Sequence, residues 1–243
     1  MGFKDLFSSA GRSKSRLEKY IRKVENKYTQ SAERYHAMTQ LIELGTTPAL
    51  VGLLRRFNIS SSKSIEDEEE KGWVYRRLSG MDASVVLPAT KQFCLAHENI
   101  AWALRIVEDL ANEDQEWDIL NALLAQHPPG YERNPAKKLQ MLTHLAEIDD
   151  PRVPEILSGY VDDADESIRF FSVEALLDIG EPSAIPSLVS RLDNQEEDSL
   201  RLRTAILNGF ARQQWDLSEH AELVRKNIGN EGHTFDGTNV HEP

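Results

Sequence analysis

Apolar residues recur at helical spacing along almost the whole of this 243-residue chain. Leu17, Tyr20, Ile21, Val24 and Tyr28 follow i, i+3, i+4, i+7 and i+11, which predicts an amphipathic helix over residues 14–30. Further helices are predicted over 31–44, 48–57, 67–79, 83–96, 97–111, 113–126, 135–147, 151–160, 165–179, 182–192, 196–213 and 217–228. The breaks between them are short and rich in Gly, Pro and Asp, as at 80–82 and 180–182. Such breaks suit antiparallel helical hairpins. Period-two alternation is nearly absent, and the polar stretch from Gly229 onward reads as a flexible tail. The expected organisation is a basic amphipathic segment (1–30), a helical body (31–228) and the tail (229–243).

The body repeats itself. Glu43-Leu44-Gly45 aligns with Asp178-Ile179-Gly180 at an offset of 135 residues. The same offset puts Ala49-Leu50 on Ala184-Ile185, Arg56 on Arg191 and Arg34 on Arg169, and four intervals in 135 give a repeat of just under 34. A shift of 34 puts Arg203 on Arg169. Lys71 and Lys138 join the series if the hinges absorb a residue or two. An apolar-Pro pattern recurs at Leu87-Pro88, Val153-Pro154 and Ile185-Pro186, and it is expected to mark the start of each second helix. A two-helix unit of this length cannot bury its apolar face alone, so stacking is required.

The stretch from Asp162 to Arg169, followed by Val173, Ala175-Leu176, Ile179-Gly180, Pro182, Ala184-Ile185-Pro186 and Leu188, resembles a HEAT repeat of the phycobilisome-lyase-like subgroup. The resemblance is good over 162–192, fair over 31–57 and 196–213, and weak over 67–130. It implies an all-α fold: a right-handed α-solenoid of about five to six two-helix repeats with an N-terminal capping helix. It also implies that Arg34, Arg169 and Arg203 form a structural ladder by pairing with an Asp of a neighbouring repeat. A bacterial, cytoplasmic protein is expected. HEAT solenoids serve unrelated tasks, so the resemblance speaks to fold more than to function.

Charge sharpens this picture. The chain carries 28 Lys and Arg against 40 Asp and Glu, a net charge of −12. Residues 1–40 hold +5 and residues 41–243 hold −17. Acidic clusters at 66–70, 113–118, 162–166 and 193–198 are expected at exposed loops and helix starts, where the helix dipole favours them. An acidic body argues against nucleic-acid binding. The single Cys excludes a disulfide framework. Neither a transmembrane span nor a secretory signal is visible.

Candidate chemistry is sparse. The dipeptides His97-Glu98 and His241-Glu242 are too scattered to build a metal site. Cys94 and His144 read as core residues, as do Trp73, Trp102, Trp117 and Trp215 at helical spacing, with Trp117, between Glu116 and Asp118, the best candidate among them for an exposed contact. No cofactor and no catalytic residue is implied. The leading expectation is a scaffold or adaptor that is more consistent with binding than with catalysis. It would bind another protein on a concave face lined by Arg55, Arg56, Lys91, Gln92, Asp118, Asn121, Glu155, Ser187 and Arg191. A second is a lyase-like protein handling a chromophore or prosthetic group. A third is recruitment to an anionic membrane or acidic partner through Lys14, Arg16, Lys19, Arg22, Lys23 and Lys27, with Phe3, Leu6 and Phe7 as apolar anchors. The alternative for that helix is to cap the first repeat.

Overall fold

The computed structural model describes residues 9–60, 64–195, 199–229 and 232–243. Among them the chain forms thirteen α-helices and one short β-hairpin, gathered in two compact units, Met1–Gln126 and His127–Pro243. Phe3, Leu6 and Phe7 lie outside the described residues.

The first unit contains α1 (Ser9–Glu25), α2 (Ser31–Leu44), α3 (Thr47–Leu54, continued by a 3-10 turn at Arg55–Asn58), α4 (Ser64–Ser79), α5 (Ala83–Ala96), α6 (Ala101–Leu110) and α7 (Glu113–Gln126). Helices α2, α4 and α6 form one layer, and α3, α5 and α7 form the other. Helix α1 lies against α2 and α3. The second unit contains α8 (Ala136–Ala146), α9 (Arg152–Tyr160), α10 (Glu166–Ile179), α11 (Ile185–Asp193), α12 (Leu200–Gln213) and α13 (Ala221–Asn227). Its layers are α8, α10, α12 and α9, α11, α13. Each unit is thus a stack of three helical hairpins, the α-solenoid arrangement expected from the repeat.

Local chemistry sets the helix ends. Asp82 accepts a hydrogen bond from the Ser84 amide at 2.8 Å, Asp165 from that of Ser167 at 2.9 Å, and Ser199 Oγ from that of Leu202 at 3.2 Å, so α5, α10 and α12 each start with a side-chain cap. The Ser167 bonds hold the Asp165 carboxyl below the usual carboxylate range. Gly45 and Gly180 end α2 and α10 with φ of 58° and 76°, a left-handed conformation that favours glycine. Gly52 and Gly209 serve a different need, close helix approach. A Cβ on Gly52 would stand 2.4 Å from Ile21 of α1, and one on Gly209 2.3 Å from Leu177 of α10.

Buried cations tie the hairpins together. Arg34, in the first turn of α2, donates to Glu70 of α4 at 2.8 Å and to the carbonyls of Asn26 (2.8 Å) and Thr29 (2.9 Å). Arg56 donates to the same Glu70 and to Asp67, both at 2.7 Å, and Lys71 meets Asp67 at 2.6 Å. All five side chains are buried. In the second unit Lys138 reaches Asp163 at 2.8 Å and the Gly130 carbonyl at 2.9 Å. Asp163 also accepts from the amides of Gly130 and Asp165, both at 2.9 Å. Arg169 donates to the carbonyls of Asp163 and Ala164, and Arg203 to those of Leu192 and Asn227. Arg34, Arg169 and Arg203 thus each donate to backbone carbonyls, and Arg34 also meets a Glu of the next hairpin. Nearby, burial and the charge of Asp163 push the Tyr160 hydroxyl up to about 12.

Four expectations are corrected. The first helix ends at Glu25, because Asn26 accepts from the Tyr28 amide at 2.9 Å and closes a turn; Tyr28 is 82% exposed. Helix α6 begins at Ala101, not 97, because Asn99 is held by Asn58 and by the Phe57 carbonyl. Pro88 lies inside α5 and marks no helix start. The tail forms a hairpin on α12, with β1 (Thr234–Phe235) antiparallel to β2 (Val240–His241). Its turn is made by Asp236, which accepts from the Thr238 and Asn239 amides, both at 2.8 Å, and whose carboxyl these bonds pull down to about 2. The fully buried Val240 and the bonds from Asn239 to the Gln214 and Trp215 carbonyls seat the hairpin.

Three outcomes follow from this packing. Gly52→Ala forces Ile21 to move and is expected to lower stability by about 1–3 kcal/mol, with faster hydrogen exchange concentrated in α1. Asp163→Ala strands the Lys138 ammonium and is expected to cost the second unit about 3–5 kcal/mol by urea denaturation; the paired replacement Lys138→Met with Asp163→Leu should lose much less. Asp165→Ala should cost about 1 kcal/mol at pH 7. Because folding lowers the Asp165 pKa, its contribution exists above the unfolded value and fades as pH falls below about 4 through the folded value. Melting curves of wild type and variant should therefore converge in acid.

Candidate functional site

The polar residues expected on the second helices are mostly engaged with one another. Arg55 meets Glu25 at 2.9 Å, joining the second-helix layer to α1. Lys91 of α5 meets Asp118 of α7 at 2.6 Å. Ser187 of α11 donates to Ser158 of α9 at 3.2 Å, and Arg191 reaches Asp162 at 2.8 Å. Arg56 is 1% exposed and is held inside the ion-pair network, so it offers nothing to a partner; Arg191 is 6% exposed. Gln92, Asn121 and Glu155 remain exposed. Most of these residues bridge successive helices, and of the set Arg191 lines a small polar depression of about 330 Å³ with Asp162, Arg169 and Asn194. Trp117, the candidate for an exposed aromatic contact, is instead buried on the core side of α7, in keeping with the core reading of the Trp residues. Cys94 and His144 are buried as expected.

The basic helix is used as a cap. Val24 is fully buried and Ile21 sits over Gly52, so the apolar stripe of α1 faces α2 and α3. Lys23 pairs with Glu33 of α2 at 3.3 Å. Lys14, Arg16, Lys19 and Arg22 remain on the exposed side. Lys27 lies beyond the helix end, its ammonium 5.0 Å from the centroid of the Tyr28 ring.

The second unit carries two open grooves on either side of α10. The first, of about 900 Å³, lies between the C-terminal halves of α8 and α10 and is closed by the turns that lead into α9 and α11. Its floor is apolar, with Ile148, Val153, Phe171, Ala175 and Ile179. Its rim is acidic, with Glu147, Asp149, Asp150, Glu174, Asp178 and Glu181. Two rim carboxylates meet cations: Asp150 accepts from Arg152 at 2.8 Å, and Asp178 from Arg212 at 3.0 Å. Asp149, Glu174 and Glu181 meet no Lys or Arg among the described residues. Helices α8 and α10 also end at this groove, and the negative ends of their dipoles add to the field.

The second groove, of about 860 Å³, runs between α10 and α12. Phe170, Leu177 and Leu200 line it, with Arg201 lying 3.6 Å over the Phe170 ring and Arg212 nearby. Glu242 and Pro243 border it, so the C-terminal hairpin shapes one wall.

The expected binding face lay on the second helices, whereas the two larger grooves flank the outer face of α10. A signal was available. Glu147 and Glu181 stand 34 residues apart, one repeat length, each just after a first helix. Carboxylates recurring at the same turn of successive repeats converge on one edge of the stack.

Comparison with known proteins agrees with this geometry. The HEAT repeat family matches residues 130–207, a span that holds the whole lining of the first groove and part of the second. A protein of Synechococcus elongatus described as a phycobilisome maturation protein is 34% identical over 94 residues. That match covers 38% of this chain and 44% of the relative, so the chain spans less than half of the relative's length. No solved structure matches. The chain thus carries HEAT repeats within residues 130–207, and stacked helical hairpins occur in both units.

Proposed function

We propose that this chain is a non-enzymatic HEAT adaptor that holds a segment of another protein in the groove between α8 and α10. The observation that carries the reading is the groove itself. An open furrow of about 900 Å³ with an apolar floor and polar rim suits a peptide segment, whose side chains need burial while its ends run on into solvent. Gln92, Asn121 and Glu155 are exposed on their second helices and form no part of the lining of this groove. The relative is named for phycobilisome maturation, and we carry over to this chain the corresponding coarse role, assisting the maturation of such an assembly.

A second reading is chromophore handling, and the groove between α10 and α12 favours it. Arg201 over Phe170, with Leu177 and Leu200 beside them, offers an apolar wall and a guanidinium, as a flat ligand bearing carboxylates would need. Recruitment to an anionic membrane through Lys14, Arg16, Lys19 and Arg22 would have to use Phe3, Leu6 and Phe7 as anchors, since the apolar stripe of α1 already faces α2 and α3.

Photo-crosslinking in cells of the source organism separates these ideas. With benzoylphenylalanine at Thr143, on the lip of the first groove, a discrete adduct to one protein is expected; at Gln92, on a second helix, none or far less is expected. Equal adducts at both positions, or none at Thr143, would reject the groove as the docking site. A chain that acquires visible absorbance on co-expression with a bilin pathway would move the reading to the second groove.

A further inference from the structure

We propose that the occupant of the groove between α8 and α10 is a Lys- or Arg-bearing segment of a partner protein, anchored by an aliphatic side chain. This rests on the reading of that groove as the docking site and goes on to name what fits it.

Charge selects the sign. The lining contains no Lys, Arg or His, while Glu147, Asp149, Asp150, Glu174, Asp178 and Glu181 stand around the rim. Arg152 and Arg212, which approach from outside the lining, offset Asp150 and Asp178. Asp149, Glu174 and Glu181 keep their charge without a Lys or Arg partner among the described residues. The C-terminal ends of α8 and α10 reinforce the same negative sign. An anionic occupant, such as a nucleic acid, an acidic lipid or a tetrapyrrole with propionate groups, would be repelled. A cationic one would be steered in, with an association rate that falls as salt rises.

The floor selects the anchor. Ile148, Val153, Phe171 and Ile179 present an apolar surface between those carboxylates, so a purely polar polycation would leave it unfilled. A segment with one or two aliphatic side chains between basic residues fills the floor and meets the rim at once. The chain's own α1 is basic but does not match. Its apolar residues already face α2 and α3, and its outer side offers only Arg12, Lys14, Arg16, Lys19 and Arg22 around Glu18. A second copy docking through the described part of α1 is therefore the poorer occupant.

The test uses the full chain and a fluorescein-labelled heptapeptide in which three Lys or Arg surround two Leu. Fluorescence anisotropy is expected to show saturable binding that weakens steadily between 50 and 300 mM salt, about the range over which the Debye length shortens markedly. The double variant Glu174→Lys with Glu181→Lys, checked for an unchanged circular dichroism spectrum and melting curve, should bind roughly tenfold or more weakly. A matched peptide with Glu in place of the basic residues should not bind. Equal binding by the acidic peptide, salt-independent binding, or an unaltered Kd in the folded variant would overturn the proposal. So would self-association of the wild-type chain in sedimentation that the same variant abolishes, since the occupant would then be a second copy. If crosslinking at Thr143 captures a partner whose contacting segment lacks Lys and Arg, the groove survives as the docking site and only the basic occupant is discarded.

Discussion

The stacking of these hairpins depends on cations held near the start of first helices, most deeply Arg34 of α2 and Lys138 of α8. A guanidinium or ammonium removed from water is tolerated only when every donor finds an acceptor and a counter-charge stands close. Arg34 meets these terms with two carbonyls of the preceding linker and one carboxylate of the next hairpin. Lys138 does so with Gly130 and Asp163. These groups lie on different segments, so each cation can be satisfied only when adjacent segments are in register. Apolar packing drives the helices together but is indifferent to a shift of one turn. A buried charge with fixed partners is not indifferent, and this is how the repeat keeps its spacing.

The same constraint explains part of the acidic excess. The run at 66–70 reads in sequence as surface decoration, yet it divides by helical periodicity. Glu68 and Glu69 are exposed, while Asp67 and Glu70 turn inward and neutralise Arg34, Arg56 and Lys71. Asp163 plays the equivalent part for Lys138 in the second unit. Of the acidic residues beyond these, Glu147, Asp149, Asp150 and Glu181 stand at the turns after α8 and α10, on the lining of one groove. The net charge of −12 is thus divided between an internal share, already compensated, and an external share that remains active around the grooves.

The fold was legible because its signals are local. Helix periodicity, Gly180 and Gly45 at helix ends, and Asp165 at a helix start are properties of a few adjacent residues, and all keep their meaning in the structure. What was not legible depends on residues far apart. Nothing local distinguishes Arg56, sealed between Asp67 and Glu70, from Arg55 beside it, which stays half exposed and meets Glu25. Pro88 follows the same apolar-Pro pattern as Pro186 yet sits inside its helix, because Asp82 caps α5 a full turn earlier than the pattern suggests. The C-terminal hairpin did leave a local trace, Asp236-Gly237 between Thr234-Phe235 and Val240-His241, with Gly237 at φ 109°. Its polarity concealed it, since only Val240 is deeply buried on α12.

The candidate site shows why a repeat fold makes function hard to read from sequence. A groove between repeats is assembled from fragments of two hairpins: a turn after α8 and the outer face and closing turn of α10. No single fragment is unusual, since each is an ordinary helix end with an acidic residue or two. Their effect comes from superposition at the repeat spacing, which turns Glu147 and Glu181 into opposite walls and leaves Phe171 and Ala175 between them as floor. A helix that served only as core would have no reason to place Phe170 and Phe171 on either side of an outward ridge, each lining a different groove. Helix α10 does so while still closing the core through Val173, Leu176 and Leu177. One face holds the stack together and the other divides two chemically distinct grooves, acidic on the α8 side and mixed in charge with two arginines on the α12 side. Selectivity for what docks would therefore be set by which side of α10 a ligand meets, and by little else in the repeat.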